Sequence, residues 1–199
     1  MIHHKTRLIL ASASPRRRAL LKTLGIAFTV MSAVVDEEGH ILGRRFKKPS
    51  GLARSLALHK AMDVGKKVKA HAVVIAADTI VVMGGRVIGK PKDRADARRV
   101  LRSLSGRTHE VITGVCLLEI PSRRRLSFHV TTRVTMTDMT DADIDRYIGT
   151  GEPMDKAGAY GIQGRGGLFV KRISGSYSNV VGLPLAELYR HLKAFTARM

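Results

Sequence analysis

The sequence predicts an α/β fold with a mixed central sheet flanked by helices, and two patterns indicate this class. Strand-like and helix-like stretches alternate through the first half of the 199-residue chain, as the crossover connections between parallel strands require. Hairpin signals are also present, at Gly84-Gly85 and at Pro121–Arg125. Hairpins join antiparallel strands, so we expect both strand directions in the sheet. The length suits one domain, residues 1–199, with two lobes.

Apolar spacing and capping residues predict the elements of the first half. A strand at Leu8–Leu10 leads into a helix from Pro15 to about Leu24, with Ser14 as its N-cap. The following elements are a β-rich segment at 28–35, a helix at 50–68, a buried strand at 73–83, a short strand at 86–88 and an amphipathic helix at 93–104.

The second half opens with two long β-rich runs and becomes glycine-dense later. The predicted elements are strands at 108–120 and 126–136, a helix that Thr140 caps and that runs to Ile148, a glycine-dense loop at 149–167, a strand at 168–173 and a helix at 184–195. The arginines at 123–125 are interpreted as a solvated hairpin tip.

Positive charge is concentrated in the first turn of the first helix. Arg16, Arg17 and Arg18 lie where free N–H groups already create a positive field, which costs roughly 0.3–1 kcal/mol for each cation. A bound phosphate would reverse that cost by accepting hydrogen bonds from the N–H groups, the Ser14 hydroxyl and the guanidinium groups. A surface helix whose arginines extend into water is the alternative, and this segment alone is equally compatible with both.

Asp78 interrupts a strand that is otherwise apolar on both faces. An unpartnered charge in such a strand is expensive, so we expect its carboxylate to contact a cation or a metal, or to handle a proton. The alternative is a structural carboxylate that accepts hydrogen bonds from loop amides.

Two lysines are candidate phosphate ligands. Gly84 to Lys90 has the spacing G-x-x-x-x-G-K, but Pro91 follows where a P-loop needs a hydroxyl, and the glycines fall in a hairpin. We therefore reject a P-loop and keep Lys90 as an isolated phosphate-directed cation. Lys60 lies on the apolar side of its helix, where it either binds phosphate or extends its amine to water.

The glycine-dense segment at 157–167 allows a close approach of its backbone to a ligand. Within it, the Gln163 amide offers both a donor and an acceptor to a base edge. A mobile surface loop is the alternative.

Composition bounds the partners. The formal charge of +19 comes from 35 basic and 16 acidic residues and favours polyanionic ligands. Aromatic residues make up only 5% with no Trp, so a nucleic-acid partner is possible but not expected. A single cysteine and the lack of a signal or membrane-spanning stretch predict a cytoplasmic protein without a membrane partner. The cysteine and the eight scattered histidines have no zinc-ligand spacing.

Taken together, six ordered segments resemble the Maf family of nucleoside triphosphate pyrophosphatases. These segments are Ala11–Arg17, Ala76–Val81, Gly89–Asp93, Leu104–His109, Glu152–Gly164 and Gly175–Pro184. The resemblance implies an ITPase-like fold with a deep cleft, a homodimer, and metal-dependent cleavage between the α and β phosphates. The products would be a nucleoside monophosphate and pyrophosphate.

The resemblance also implies residue roles. Asp78 matches the family's proton acceptor, whereas Arg16, Thr79 and Gln163 match positions linked to substrate choice. Lys60 and Lys90 match phosphate binders, Glu37 matches a metal-side carboxylate, and Ser14 and Arg17 join the substrate-binding set through the helix-terminus argument. The segment from Asp155 to Gly164 is similar to the branch that acts on dTTP and UTP.

The chemistry agrees with these roles, since phosphoryl attack needs cations, a divalent metal such as Mg²⁺ or Mn²⁺, and a base for water. Asp78, with Glu37 or Glu38, can hold the metal or take the proton, and both roles remain open for it. The alternative function is a basic nucleic-acid-binding or cell-division regulatory protein without turnover.

Overall fold

The computed structural model describes residues 6–35 and 48–197, so Glu37 and Glu38 lie outside the described residues. The strands are β1 (Leu8–Leu10), β2 (Thr29–Val30), β3 (Ala72–Met83), β4 (Arg86–Ile88), β5 (Thr108–Ile120), β6 (Arg125–Met136) and β7 (Val170–Ser174). They form a seven-stranded sheet in the order β2-β1-β3-β5-β6-β7, with β4 paired to β3. Parallel pairing of β1 with β2 and β3 coexists with antiparallel pairing of β3 with β4 and of β6 with β7. The predicted mixed sheet is confirmed.

Helices connect most of these strands. The α-helices are α1 (Pro15–Lys22), α2 (Pro49–Lys67), α3 (Arg94–Leu104), α4 (Asp141–Gly149), α5 (Tyr177–Val181) and α6 (Leu185–Thr196). Three 3₁₀ helices lie between α4 and β7, at Glu152–Asp155, Ala157–Ala159 and Arg165–Phe169. Capping chemistry explains two of the starts, because Asp93 accepts from the N–H of Asp96 at α3 and Thr140 forms a capping box with Asp143 at α4.

The chain divides into two compact units. The first comprises Met1–Asp78, Thr113–Val130 and Gly182–Met199, and the second comprises Thr79–Ile112 and Thr131–Val181. The long strands β3, β5 and β6 each contribute residues to both units. The predicted deep cleft stays a prediction.

The first unit has an apolar cluster on each face of its part of the sheet. Successive side chains of β1 belong to one cluster and then to the other. Leu8 and Leu10 pack in a cluster with Leu21 of α1 and Leu188 of α6. Ile9 and Ala11, which point to the other face, pack in a second cluster with α2. Helices α1 and α2 therefore cover opposite faces of the same strands.

The second unit has a core of its own. Val81 at the end of β3 packs with the apolar face of α3 and with Tyr147 of α4. The Gly84-Gly85 turn that joins β3 to β4 is the predicted hairpin, and both glycines have positive φ, 56° and 76°, as a tight two-residue hairpin connection requires.

Some predicted boundaries differ from the structure. Only Thr29–Val30 of the β-rich segment 28–35 is a strand, because its neighbour β1 is itself only three residues long. The first helix ends at Lys22 rather than near Leu24, since Gly25 follows with a φ of 65°. The last strand begins at Val170, because the preceding residues Arg165–Phe169 form a 3₁₀ helix. No helix in the described ranges is long and apolar enough to span a membrane.

Candidate active site

The parallel strands β1 and β2 end at one edge of the first unit, and β3 continues beyond them. Leu10 of β1 pairs with Val30 of β2 and with Ile75 of β3, so the segments that follow these residues emerge on the same side. One of them is the Ser12–Arg18 segment, and another is the part of β3 that carries Asp78. The order β2-β1-β3, with α1 and α2 on opposite faces, is a topological switch point, and open α/β sheets bind ligands outside the carboxyl ends of the strands at such a point.

The turn after β1 forms a capped helix start. Ser14 is the N-cap of α1, its side chain accepts a hydrogen bond from the N–H of Arg17 at 3.4 Å, and Pro15 occupies the first turn. The Ser14 N–H in turn donates to Ser12 Oγ at 3.2 Å. The predicted N-cap is confirmed, and the first turn of α1 contains no acidic residue to offset its positive field.

The arginines of this turn differ in their surroundings. Arg17 Nε donates to the carbonyl oxygen of Gly182 at 2.9 Å and so ties the start of α1 to the segment before α6. Arg16 is half-buried, whereas Arg18 is exposed. Substrate binding by Arg16 and Arg17 stays a prediction, and Arg17 has a structural contact in addition.

A buried ion pair joins α2 to β3. Lys60 Nζ lies 2.5 Å from Oδ1 of Asp78, with only 12% and 8% of the two side chains exposed. The cation that the burial of Asp78 led us to expect is therefore Lys60, whose amine contacts a carboxylate instead of extending to water. The ammonium offsets the charge that the carboxylate carries when it acts as a base or as a metal ligand.

Gly114, which the sequence did not single out, lies where α2, the helix that carries Lys60, packs on β5. A Cβ on Gly114 of β5 would clash with the backbone of Ala53 and lie 2.5 Å from the Arg54 nitrogen. Helix α2 thus packs directly on the backbone of β5, and the absence of a side chain at Gly114 permits this close approach.

The other predicted site residues lie in the second unit. Thr79 of β3 is half-buried, and Lys90, just after β4, is exposed. The carbonyl of Gly89 accepts from the N–H of Gly158 at 3.1 Å, so the segment before Lys90 is fastened to the glycine-dense loop. Gln163 is exposed in a turn closed by a hydrogen bond from Gly164 N–H to Gly161 O, 3.3 Å. That these residues share one site with Asp78 stays a prediction.

Glu152 and Tyr147 are residues of this loop region that sequence analysis missed. Glu152 Oε1 accepts from the Tyr147 hydroxyl at 2.8 Å and from the Gly166 N–H at 3.2 Å, and Oε2 accepts from the Arg165 N–H at 2.9 Å. Burial alone would raise the pKa of Glu152, but the Tyr147 hydroxyl and the two N–H groups outweigh it and hold the pKa below its usual value. The signal in the sequence was an acidic residue shortly before several closely spaced glycines.

The carboxylates of the site can be compared with the ligands that the implied divalent metal prefers. Asp78 supplies carboxylate oxygens, which Mg²⁺ and Mn²⁺ prefer. Within residues 6–35 and 48–197, no group of three His, Cys, Asp or Glu side chains could hold a metal ion. Mg²⁺ is commonly bound through one or two carboxylates together with substrate phosphates, and Asp78 fits that arrangement. Glu37, the other predicted metal ligand, lies outside the described residues.

Comparison with known proteins identifies the family of the chain. The model of the Maf-like protein family matches residues 7–195. The chain belongs to the Maf family. This match spans the Ser14 turn, the Lys60–Asp78 pair and the Gln163 loop, and the family resemblance inferred from the six sequence segments is confirmed.

Curated Maf relatives carry a common name. The chain is 50% identical over 182 residues to the dTTP/UTP pyrophosphatase of Alkaliphilus metalliredigens, with 92% of each chain covered. It is 49% identical to the dTTP/UTP pyrophosphatase of Carboxydothermus hydrogenoformans, with 94% of this chain and 97% of the relative covered. A solved nucleoside-triphosphatase / dITP/XTP pyrophosphatase from Mycobacterium abscessus is 17% identical, with a TM-score of 0.39 over 66% of this chain and 73% of that one.

Proposed function

We propose that this Maf protein is a nucleoside triphosphate pyrophosphatase that hydrolyses dTTP and UTP to the nucleoside monophosphate and pyrophosphate. The observation that carries the proposal is the Lys60–Asp78 pair. Its carboxylate belongs to β3, the neighbour of β1, after which the capped Ser14 turn begins, in a chain about half identical to dTTP/UTP pyrophosphatases.

The start of α1 binds the phosphates in this proposal. Free N–H groups at a capped helix start, together with the Ser14 hydroxyl and the Arg16 and Arg17 guanidinium groups, form a set of donors that suits phosphate oxygens. Lys60 and Lys90 add point charges that offset the negative charge of the triphosphate.

Asp78 acts on the attacking water or on the metal. A bound Mg²⁺ or Mn²⁺ would neutralise the phosphate oxygens and make the attacked phosphorus more electrophilic. The water oxygen bonds to phosphorus while the bond to the α–β bridging oxygen breaks. In the base role, Asp78 takes the water proton and pyrophosphate leaves with the bridging oxygen. Lys60 Nζ lies within hydrogen-bond distance of this carboxylate and orients it.

In this proposal, Gln163 and Thr79 select the nucleobase of the substrate. Uracil and thymine present the same pattern of one N–H donor between two carbonyl acceptors, and the Gln163 amide offers one donor group and one acceptor to such an edge. A purine presents a different pattern, so the discrimination depends on where the Gln163 amide is held.

Pyrophosphate release from a panel of nucleoside triphosphates, measured with Mg²⁺, with Mn²⁺ and with a chelator, tests the proposal. We expect release from dTTP and UTP above that from ATP and GTP, and loss of release with the chelator. Absence of release from every nucleotide would overturn the proposal, and DNA binding with a steep salt dependence in that case would favour the non-enzymatic alternative.

The resemblance to the family also suggests an oligomeric state and a cellular location for the protein. We propose a homodimer in the cytoplasm. Light scattering coupled to size exclusion measures the mass of the assembly, and a mass equal to the 21.8 kDa chain would contradict the dimer. Fractionation of the host cell tests the location.

A further inference from the structure

The glycines around Gln163 approach a carboxylate and a phenol of the protein itself. A Cβ on Gly164 would lie 2.5 Å from Cδ and Oε1 of Glu152, and a Cβ on Gly166 would clash with the Tyr147 hydroxyl. A Cβ on Gly161 would lie 2.7 Å from Cε of Lys156. A side chain at Gly164 would therefore displace the Glu152 carboxylate, and one at Gly166 would also meet the backbone of Gly161 at 2.9 Å, whereas at Gly161 the flexible end of Lys156 could shift.

The same two side chains hold the loop on both sides of Gln163. Before Gln163, the Gly161 N–H donates to the Tyr147 hydroxyl at 3.2 Å. After it, the N–H groups of Arg165 and Gly166 donate to the Glu152 carboxylate at 2.9 and 3.2 Å. Tyr147 donates to Glu152 at 2.8 Å, so both anchor points belong to one hydrogen-bonded pair.

The pair is itself held in place. Tyr147 is only 3% exposed, and its ring packs edge-on against Phe169 with centroids 5.4 Å apart. Lys156 Nζ donates to the backbone carbonyl of Glu152 at 2.8 Å. The Glu152 carboxylate is a charged acceptor with three donors, and such hydrogen bonds are strong and well oriented. The Gln163 side chain itself is exposed.

We propose that Glu152 is a positioning residue for base selection, which acts with Tyr147 by fixing the turn that presents Gln163 to the nucleotide base. The inference rests on the proposed function, since it requires that Gln163 contacts the base. Glu152 does not touch the substrate in this scheme. Its carboxylate sets where the Gln163 amide lies, and thereby how well the enzyme distinguishes pyrimidine from purine nucleotides.

The test compares Glu152→Gln with the wild type for dTTP and for GTP. The carboxamide keeps the size but replaces one acceptor oxygen by a donor that faces existing donors. We expect kcat/KM for dTTP to fall about tenfold or more, mainly through KM, with a much smaller fall for GTP. Tyr147→Phe, which keeps the ring packing, should change the ratio in the same direction by less.

Asp145→Asn is the matched control, because Asp145 is an exposed acid of α4 in the same unit whose partner is Arg98 of α3. It should leave the dTTP-to-GTP ratio unchanged. Thermal unfolding tests whether every variant is folded. Amide exchange should become faster at Gly161, Arg165 and Gly166 in Glu152→Gln and stay unchanged at amides outside this loop.

A double-mutant cycle tests whether Glu152→Gln changes the dTTP-to-GTP ratio through Gln163. In a Gln163→Ala background, Glu152→Gln should no longer change the dTTP-to-GTP ratio, because the two residues act as one unit. The inference is overturned if a folded Glu152→Gln keeps the wild-type ratio, if it lowers kcat equally for all nucleotides, or if its effect survives in the Gln163→Ala background. A wild-type protein that releases no pyrophosphate would instead overturn the proposed function itself.

Discussion

Lys60 of α2 and Asp78 of β3 form an ion pair of 2.5 Å in which at most 12% of either side chain is exposed. Removing either charge from such a pair is costly, because the remaining one stays largely out of water. The pair thus has a structural consequence as well as the proposed chemical one. For variants of Lys60 or Asp78, the free energy of unfolding therefore has to be measured together with the activity.

Asp78→Asn should abolish pyrophosphate release while nucleotide binding persists. The amide cannot take a proton and is a poor metal ligand, so we expect a fall in kcat of at least about a hundredfold, with a dissociation constant for dTTP that changes much less. Pyrophosphate release and titration calorimetry measure the two quantities. Asp63→Asn is the control for loss of a negative charge in the same unit, at a half-buried acid of α2 that pairs with Lys67 and accepts from the Val34 N–H. Full activity in folded Asp78→Asn would disprove its role.

Arg17→Ala should weaken both the fold and nucleotide binding. Arg17 donates to the Gly182 carbonyl, so its loss should lower the free energy of unfolding by roughly 1–3 kcal/mol as well as raise KM. Arg16→Ala should also raise KM for dTTP. Urea unfolding and steady-state kinetics measure both variants, and an Arg17→Ala protein with the stability and the KM of the wild type would contradict the two roles of Arg17.

Gly114→Ala should destabilise the protein by about 3 kcal/mol or more, because the new methyl group would meet the backbone of α2 rather than a flexible side chain. The displaced helix carries Lys60, so kcat should fall too. Gly149→Ala is the matched control, since a Cβ there meets nothing within 4 Å and alanine favours a helix. A Gly114→Ala variant as stable as the Gly149→Ala variant would argue against the close approach of α2 to β5.

Stability should fall between about pH 6.5 and pH 4 because of His109. Burial lowers the pKa of His109 to about 4; its Nε2 pairs with the Tyr160 hydroxyl at 2.8 Å, and its Nδ1 has no hydrogen-bond partner among the described residues. The unfolded chain, with a histidine pKa near about 6.5, binds the proton first. The contribution of neutral His109 to stability is therefore complete above about pH 6.5. It is lost as the pH falls through the folded-state pKa of His109, by at most about 3 kcal/mol.

His109→Gln keeps a side chain that can pair with Tyr160 but cannot titrate. We expect urea unfolding at a series of pH values to show a flatter dependence for this variant than for the wild type between pH 6.5 and pH 4. The same slope in both proteins would contradict the assignment to His109.

Local chemistry made several features predictable from the sequence. The Ser14 cap, the Gly84-Gly85 hairpin and the Thr140 capping box depend on residues within a few positions of one another, so their patterns are visible in the chain. The burial of Asp78 was also predictable, since the apolar residues around it on β3 indicated a strand covered on both faces.

The partners of these residues were not predictable from spacing. Lys60 lies on α2 and Asp78 on β3, so their contact depends on how this helix packs on the sheet. Glu152 is a similar case, because the sequence indicated that glycines near Gln163 allow an approach to a ligand, whereas the structure shows Gly164 and Gly166 closely packed on Glu152 and Tyr147.

The sequence by itself determined the family, the mixed α/β class and the elements that begin and end with local signals. Only the tertiary structure decided that Lys60 is the cation beside Asp78, that Arg17 is tied to Gly182, and that Glu152 holds the loop of Gln163. The physical reason is that caps, turns and periodicity are set by neighbouring residues, whereas ion pairs and loop anchors depend on which distant backbones pack closely together.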